Sequence, residues 1–432
     1  MKKTSVFILT WMLLPFWVCG QNLYLTHSSS HPGNVRGQIV WDHNEVTLWN
    51  TDIPPSADAR LLAENPWADG SAVVLLNLKN SPEEWTLPHN LDASLIWHGA
   101  GAMILKIAAN EYQKVRESVP GSWIKLFPPT LLTPSVSLPP IDTNHLVYEI
   151  VSKVDTTRLM ASIARLQAYT TRKALTDSAF AASEWIRQQF EALGYPVELQ
   201  PFTIYGMPSS PNVIATKTGT TYPDQYVVIG AHYDSYSWSD NAPGADDNAS
   251  GTAGVLEAAR ILAGYPTEIS VIFCAFSGEE YGLIGSDAYV TRCSQQEMEI
   301  LGYFNLDMIA YRHPGDEIHT DMIYPPSAKP LADYYKGVAA IFVPELGVYD
   351  GFLTGGDSDH TSFNNYGYMG IFPFEDDQHY SPYIHTNQDV IGLSVNSAEM
   401  AMLFVRASLA GVSSLSGVYS TAAIHDNRNR VR

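Results

Sequence analysis

The stretch Val227 to Ser250, VVIGAHYDSYSWSDNAPGADDNAS, decides how this sequence is interpreted. An apolar run ends at His232, and Asp234 lies two residues later, on the same side of an extended chain. A turn with Pro and Gly then leads to the acidic pair Asp246-Asp247, where a helix is expected to begin. A strand end and a helix start that both carry histidine or carboxylate side chains indicate a metal site on an α/β sheet.

Further potential ligands follow the next apolar runs. The strand-like run Ile269 to Phe276 leads to Glu279 and Glu280, Asp307 closes another apolar run, and His385 lies in a later loop. Each of these alone is usually an ordinary solvated turn. Because ligands of α/β sheets gather beyond the carboxyl ends of the strands, their joint occurrence points to one site.

Histidine nitrogens with carboxylate oxygens suit zinc better than magnesium, which prefers oxygen ligands and water. Two histidines and this many acids exceed the needs of one tetrahedral zinc ion. Two zinc ions about 3.5 to 4 Å apart, sharing one carboxylate, use all of them. The sequence therefore predicts two Zn²⁺ per chain.

The composition is that of a globular protein. The chain has 432 residues, of which 45% are hydrophobic and 16% charged, enough for a catalytic domain and a smaller one. The net charge of −20 argues against nucleic acid and anionic membranes as partners. Composition leaves the oligomeric state unknown.

The first 20 residues have the pattern of a signal peptide, with Lys2 and Lys3 before an apolar run, and cleavage is expected after Gly20. The mature protein is then expected to be secreted or periplasmic, without membrane attachment. The apolar run is short for a membrane anchor. Lipid attachment at Cys19 stays open, and a disulfide between the other two cysteines, Cys274 and Cys293, is an alternative to two buried thiols.

The chain divides into five regions. They are a signal peptide (1–20), an N-terminal accessory domain or propeptide (21–127), a Pro-rich linker (128–142), a catalytic domain (143–415) and a C-terminal tail (416–432). The N-terminal region alternates short β-like runs with turns, which predicts a β-rich or α+β domain. The catalytic region alternates strands and helices, which predicts an α/β fold with a mostly parallel mixed sheet and helices on both faces.

The motif set His-x-Asp, GADDNASG, Glu-Glu, Asp-Met and Ile-His-Thr resembles the co-catalytic dizinc aminopeptidases, over about residues 145 to 412. This family includes secreted bacterial leucyl aminopeptidases and is related to glutamate carboxypeptidases, glutaminyl cyclases and the transferrin receptor. The resemblance implies that His232 and Asp307 bind one zinc ion, that Glu280 and His385 bind the other, and that Asp246 bridges both. It implies Glu279 as the general base. It also implies that Asp234 is the partner that supports His232 and that Asp247 is a supporting carboxylate.

The resemblance also implies a cis peptide bond between Asp246 and Asp247. It further implies hydrolysis of the N-terminal peptide bond of peptides with a free amino terminus, by water that zinc activates and Glu279 deprotonates. A Leu-like preference would come from an apolar pocket, although some of its residues could equally belong to the core of the sheet. The residues at the corresponding positions are Met308, Phe372, Phe374, Tyr380 and Ile384. The segment Gly355 to His360 is expected to support the ligands without binding metal.

Several alternatives remain. The carboxypeptidase branch of the family carries a tryptophan after its His-x-Asp motif, as Trp238 does here, but its acidic turn differs. The cyclase branch works with one zinc and an altered ligand set. A catalytically silent binding protein would have lost ligands that this chain retains. In a zymogen, residues 21 to 127 would cover the cleft until removed.

Overall fold

The computed structural model describes the chain in these ranges: 22–27, 38–43, 46–51, 59–64, 66, 71–77, 93–99, 102–108, 111, 122–126, 138–141, 143–353 and 357–419. The expected signal peptide with its cleavage site and Cys19 lies outside these ranges. Most of the Pro-rich linker and of the C-terminal tail also lies outside them.

The structure divides into two compact units, Met1–Pro66 and Trp67–Arg432. The first contains a four-stranded antiparallel sheet in the order β2-β3-β1-β4. Leu23 and Tyr24 on its inner strand are buried. The strands are β1 (Asn22–His27), β2 (Gln38–His43), β3 (Val46–Thr51) and β4 (Arg60–Glu64).

The second unit begins with another four-stranded antiparallel sheet, in the order β6-β7-β5-β8. Val73 and Val74 on one inner strand, and Ile104 and Leu105 on the other, are buried. The prediction of a β-rich N-terminal part is thereby confirmed. The strands are β5 (Ala72–Asn77), β6 (Ala93–Gly99), β7 (Ala102–Ile107) and β8 (Ser122–Leu126).

A mixed eight-stranded sheet forms the centre of this unit, in the order β17-β16-β18-β15-β13-β14-β12-β9. The four inner strands β18, β15, β13 and β14 run parallel, and antiparallel pairs lie towards both edges. A short hairpin of β10 (Thr203–Ile204) and β11 (Met207–Pro208) stands apart. The sheet strands are β9 (Val197–Gln200), β12 (Asn212–Lys217), β13 (Tyr222–His232), β14 (Ile269–Phe276), β15 (Glu299–Asn305), β16 (His319–Ile323), β17 (Gly347–Asp350) and β18 (Gly370–Phe374).

Helices cover both faces of the central sheet. They are α1 (His145–Ser152), α2 (Thr156–Gln167), α3 (Asp177–Ala192), α4 (Gly251–Leu262), α5 (Ile284–Gln295), α6 (Lys329–Phe342), α7 (His360–Asn365) and α8 (Ala398–Ser416). Val227 and Ile229 of β13 point into the large core shared with α1 to α4, α6 and α8. Val228 points to the other face and packs with residues of α5 and α7. This alternation confirms the predicted fold class.

Among the described residues, α8 is the one helix that is long and apolar enough to suit a membrane span by length and composition. Leu403, Phe404 and Leu409 on this helix belong to the large core. The environment is that of a core helix. Cys274 and Cys293 are buried on the opposite face as free thiols, so the disulfide alternative is not formed.

The register of the parallel strands determines where the site lies. His232 at the end of β13 pairs with Phe276 at the end of β14, and Gly230 pairs with Asn305 at the end of β15. The three strands therefore end at the same edge of the sheet. The residues that follow β14 and β15 emerge beside His232, as expected for the carboxyl ends of parallel strands.

Candidate metal centre

Two sets of three ligand atoms meet at this edge, and they share one carboxylate. In the first set, Nε2 of His232 lies 3.3 Å from Oδ1 of Asp247 and 3.4 Å from Oδ2 of Asp307. In the second set, Nε2 of His385 lies 3.2 Å from Oδ2 of Asp247 and 3.0 Å from Oε2 of Glu280. Ligand atoms about 2.1 Å from a tetrahedral zinc ion are about 3.4 Å apart, so both sets have the spacing of zinc ligands.

The shared carboxylate is that of Asp247, and the expectation that Asp246 has this position is wrong. Oδ1 of Asp246 accepts a hydrogen bond of 3.0 Å from the backbone N–H of Ala310, whereas both histidines face the carboxylate of Asp247. The cis peptide bond of this turn joins Asp247 to Asn248, one position later than expected. The correction has a geometric reason: the turn directs successive side chains to different sides, and sequence alone does not show which of two adjacent acids faces the ligands.

The turn before α4 is held closely against the end of β15. Gly244 has a φ of +52°, a conformation that favours glycine, and a Cβ there would lie 2.4 Å from the backbone oxygen of Asp247. Asn248 donates from Nδ2 to the backbone oxygen of Leu306 at 2.9 Å and accepts from the N–H of Gly251 at 2.8 Å. These contacts set the position of Asp247 relative to the strand end that precedes Asp307.

Asp389 and Arg172 support this turn, although neither has a sequence context that predicts this role. The Asp389 carboxylate accepts hydrogen bonds from the backbone N–H groups of Asp246 at 2.9 Å and Asp247 at 3.0 Å. The guanidinium of Arg172 is fully buried and donates to backbone oxygens of the same region, including that of Gly244 at 2.7 Å. The only sequence signal for Asp389 was its position four residues after His385.

Asp234 connects the ends of β13 and β14. Its carboxylate accepts from the backbone N–H groups of Glu279 at 3.3 Å and Glu280 at 3.4 Å, which orients the acidic pair. Nδ1 of His232 lies 3.1 Å from the backbone oxygen of Asp234 and 3.5 Å from its carboxylate. Because that carbonyl only accepts, Nδ1 carries a hydrogen, and Nε2 is the ring nitrogen that faces the other ligands.

A chain of hydrogen bonds supports Asp307 from behind. Ser358 donates from Oγ to Oδ2 of Asp307 at 2.7 Å, and Asn305 donates from Nδ2 to the Ser358 oxygen at 2.7 Å. The hydroxyl of Tyr303 in turn donates to Asn305 at 2.7 Å. Ser358 belongs to the segment Gly355 to His360, which was expected to support the ligands without binding metal. Its hydrogen bond to Asp307 is a supporting contact of this kind. Gly355 and Gly356 of that segment lie outside the described residues.

The electrostatics of the site favour a bound cation. Burial lowers the pKa of His232, but the surrounding carboxylates, Asp307 first, outweigh it and raise this pKa well above its usual value. For His385, Glu280 and Asp247 likewise outweigh burial and raise the pKa to about 11. Without a metal ion, protons on the two histidines thus offset the negative charge of the carboxylates. A divalent ion would supply this positive charge in their place.

Buried polar atoms without partners provide a further test of fit. Within the described part of the chain, Nε2 of His232, Oε1 of Glu280 and Oδ1 of Asp307 are buried and have no hydrogen-bond partner. Such atoms are costly unless something binds them. Nε2 of His232 is an atom of the first set, and the two oxygens belong to carboxylates whose other oxygens lie in the sets. Metal ions between these groups would satisfy them, so the residues fit the zinc ions that the sequence predicts.

Glu279 lies beside the ligand sets. Its Oε2 is 3.9 Å from Nε2 of His232, farther than the carboxylate oxygens of the first set. Burial raises the pKa of the Glu279 carboxyl well above its usual value; His232 opposes this, and Glu280 and Asp307 raise the pKa further. A carboxyl group near the metal position with a raised pKa is suited to accept and return a proton.

The five residues expected to form a pocket are neighbours in space. Met308, Phe372 and Phe374 form a small buried cluster with the partly buried Ile384, separate from the large core. The ring of Tyr380 lies 5.7 Å from that of Phe374, between centroids. The cluster follows the metal ligands in sequence, since Met308 is next to Asp307 and Ile384 precedes His385.

A mixed central sheet, with paired sets of zinc-type ligands at the carboxyl ends of its parallel inner strands, defines the class of zinc-dependent peptidases. Residues 212–407 match the sequence profile described as Peptidase family M28. The chain is 26% identical over 276 residues to the probable aminopeptidase YDR415C of Saccharomyces cerevisiae, covering 60% of this chain and 73% of that protein. It is 30% identical over 188 residues to a probable zinc metalloprotease of Pyrenophora teres f. teres, covering 38% of this chain and 40% of that protein.

Among solved structures, LapB from Legionella pneumophila superposes with a TM-score of 0.61 at 24% identity, covering 80% of this chain and 99% of LapB. This likeness shows the fold. The match to the profile of Peptidase family M28 covers slightly less than half of the chain. Together with relatives named as aminopeptidase and zinc metalloprotease, this makes the protein a zinc-dependent metallopeptidase of the aminopeptidase type.

Proposed function

We propose that this protein removes apolar, Leu-like residues from the free N-termini of peptides, with two zinc ions in one centre and Glu279 as general base. The observation that most directly supports this proposal is the position of Asp247. Its two carboxylate oxygens face different histidines, at 3.3 and 3.2 Å. One carboxylate with an oxygen in each set is the arrangement that two neighbouring ions require.

The ligand roles follow from the two sets. His232 and Asp307 would hold one ion, His385 and Glu280 the other, and Asp247 both. When bound, zinc lowers the pKa of coordinated water and polarises a carbonyl oxygen. Asp246 has no place in either set, and its role is to shape the turn.

Glu279 supplies the proton transfers. Its carboxylate takes a proton from the attacking water and returns it to the leaving amine as the peptide bond breaks. Asp234 orients Glu279 through the backbone N–H. Because Glu279 lies beside the ligand sets and outside both, it can change protonation state during turnover without losing a metal contact.

Side-chain preference is assigned to the cluster of Met308, Phe372, Phe374, Tyr380 and Ile384. An apolar cluster next to the ligand residues would favour apolar N-terminal side chains by burial. Pockets of this type discriminate by about 1 to 3 kcal/mol for each methylene group. We therefore expect leucine to be preferred over alanine, and charged residues to be poor substrates.

Export is part of the proposal and depends on the sequence of residues 1–20, which has the pattern of a cleaved signal peptide. N-terminal sequencing of the protein from culture supernatant and cell fractions tests it. Mature chains that begin at Gln21 support export. Chains that retain Met1 and stay inside the cell contradict it.

The function is tested with a leucine-led peptide, free or acetylated at its N-terminus, incubated with the mature protein and analysed by mass spectrometry. We expect stepwise loss of residues from the free N-terminus only, and no loss after treatment with a chelator. Return of the activity with added Zn²⁺ identifies the metal requirement. Loss from the C-terminus would move the protein to the carboxypeptidase branch and overturn the proposal.

A further inference from the structure

A second group of metal-type ligands lies outside the catalytic centre. We call His313, Asp316 and His379 the rim cluster. Oδ2 of Asp316 lies 3.1 Å from Nδ1 of His313 and 3.2 Å from Nδ1 of His379. All three ligand atoms are within 4.8 Å of one another. No local sequence pattern indicates a site at these residues, which come from two loops distant in the chain.

The spacing of the rim cluster is that of the catalytic ligand sets. Its two nitrogen–oxygen distances fall within the range of 3.0 to 3.4 Å that separates the histidine nitrogens from the carboxylate oxygens in the catalytic sets. They are also close to the roughly 3.4 Å between ligand atoms of a tetrahedral zinc ion. The rings of His313 and His379 stack with centroids 4.7 Å apart and planes 25° apart, so both Nδ1 atoms reach the same oxygen.

Hydrogen bonding does not explain this arrangement. Nδ1 of His313 and Oδ2 of Asp316 are both buried atoms, and among the described residues neither has a hydrogen-bond partner. Nε2 of the catalytic ligand His232 has the same property. Two close polar atoms that are buried and yet not hydrogen-bonded to each other are what a shared metal ion would satisfy.

The loops that carry the cluster are well supported. The backbone N–H of Asp316 donates to the oxygen of His313 at 3.2 Å, which closes a tight turn. The Asp376 carboxylate accepts from the N–H of His379 at 2.8 Å, and its other oxygen lies 3.7 Å from Nδ1 of that histidine. The carboxylate of Asp376 is thus near enough to approach a bound ion as a further ligand.

We propose that His313, Asp316 and His379 bind an additional divalent transition-metal ion, for which Zn²⁺ is the best match. Two imidazole nitrogens and one carboxylate oxygen, with an open position towards solvent, form a donor set that suits zinc better than calcium or magnesium. The side chains are between one third and slightly over half exposed, so an ion can enter from solvent.

The position of this ion gives it a structural role. The first loop connects β15 and β16 and contains Asp307 and Met308 near its start. The second follows β18 and leads to His385. Glu375 already joins these segments, since its carboxylate accepts from the N–H groups of Tyr311 at 3.1 Å and Ser381 at 2.7 Å. An ion in the rim cluster would join the same segments at their outer ends and brace the apolar cluster beside the catalytic centre.

The test is a comparison of metal content that does not depend on the number of catalytic ions. Full-length wild type, His379→Ala, Asp316→Asn and His145→Ala are saturated with Zn²⁺, desalted and analysed by plasma mass spectrometry. We expect the His379 and Asp316 variants to hold one ion fewer per chain than wild type. His145 is an exposed histidine on α1, so His145→Ala is the matched control and should equal wild type.

A titration with Co²⁺ provides the second measurement, because its visible absorption reports each tetrahedral site as it fills. Wild type should show one more filling step than His379→Ala. Turnover of a leucyl peptide by His379→Ala at saturating substrate should stay within twofold of the wild-type value. Thermal unfolding with and without zinc checks that each variant is folded. Equal metal content and equal titrations for wild type and both cluster variants would overturn the proposal.

A neighbouring histidine serves to locate the ion. Nε2 of His319 lies 3.6 Å from Oδ2 of Asp376 and 3.8 Å from Oδ2 of Asp321. Our proposal expects His319→Ala to keep the additional ion. If His319→Ala loses an ion while His313→Ala keeps it, the ion lies in that neighbouring group and the rim assignment is wrong.

Discussion

The carboxylate of Asp389 accepts the backbone N–H of Asp247 at 3.0 Å, and so holds the residue that faces both histidines. Its other oxygen accepts the N–H of the preceding residue at 2.9 Å. The ligand turn is therefore attached to a loop that lies 142 positions later in the chain. The position of Asp247 depends on this long-range contact as much as on its own turn.

We expect Asp389→Asn to weaken zinc binding by about 10- to 100-fold, as is usual when a partner that orients a ligand is lost. An asparagine side chain retains one acceptor, but its NH₂ group would face the other backbone N–H. Competition with a chromogenic chelator measures the affinity. Gln388→Ala is the control at an exposed neighbour and should bind zinc as wild type does.

The two adjacent acids of the turn should differ in their effect on metal content. Asp247→Asn removes the carboxylate that faces both histidines, so we expect it to lower zinc affinity more than the 10- to 100-fold typical of a supporting residue. Asp246→Asn should keep most of the zinc. Metal analysis of both proteins decides this, and the reverse order would show that Asp246 is the shared ligand after all.

Glu279→Ala should separate catalysis from metal binding. Because Glu279 lies outside both ligand sets, we expect zinc content to be unchanged while kcat falls by about 10² to 10⁴. His232→Ala is the comparison and should lose metal together with activity. Loss of zinc from the Glu279 variant would contradict its assignment as the base.

Arg172 is expected to stabilise the fold. Its fully buried guanidinium donates to backbone oxygens of four residues, and burial lowers its pKa to about 10 although nearby carboxylates, Asp389 first, oppose this. We expect Arg172→Met to lower the free energy of unfolding by about 3 to 5 kcal/mol, because several buried carbonyl groups lose their partner. The acceptors are Leu166, Tyr233, Pro243 and Gly244.

Urea unfolding monitored by fluorescence measures this loss. Arg158→Met is the control, since the Arg158 side chain is 64% exposed on α2 and should change stability by less than about 0.5 kcal/mol. A loss of under about 1 kcal/mol for Arg172→Met would show that the buried guanidinium contributes little to stability.

The α/β fold and the candidate ligands could be read from the sequence because both depend on local patterns. The strand Ile269–Phe276 was predicted with its observed bounds, since a continuous apolar run is the pattern of a strand buried on both faces. The helix at Ala398–Ser416 was missed because nearly all of it is buried and its sequence lacks a clear polar stripe. The strand Gly347–Asp350 was also missed, since it lies at the sheet edge and is only partly buried.

The sequence by itself determined which residue types are available for the site and which strand ends carry them, because apolar runs and turns are local signals. Only the tertiary structure decided that Asp247 faces the histidines and Asp246 does not, since that choice depends on backbone direction within one turn. The structure also brought His313 and Asp316 beside His379. Contacts between distant loops follow from the packing of the whole sheet, and a single sequence carries no local signal of them.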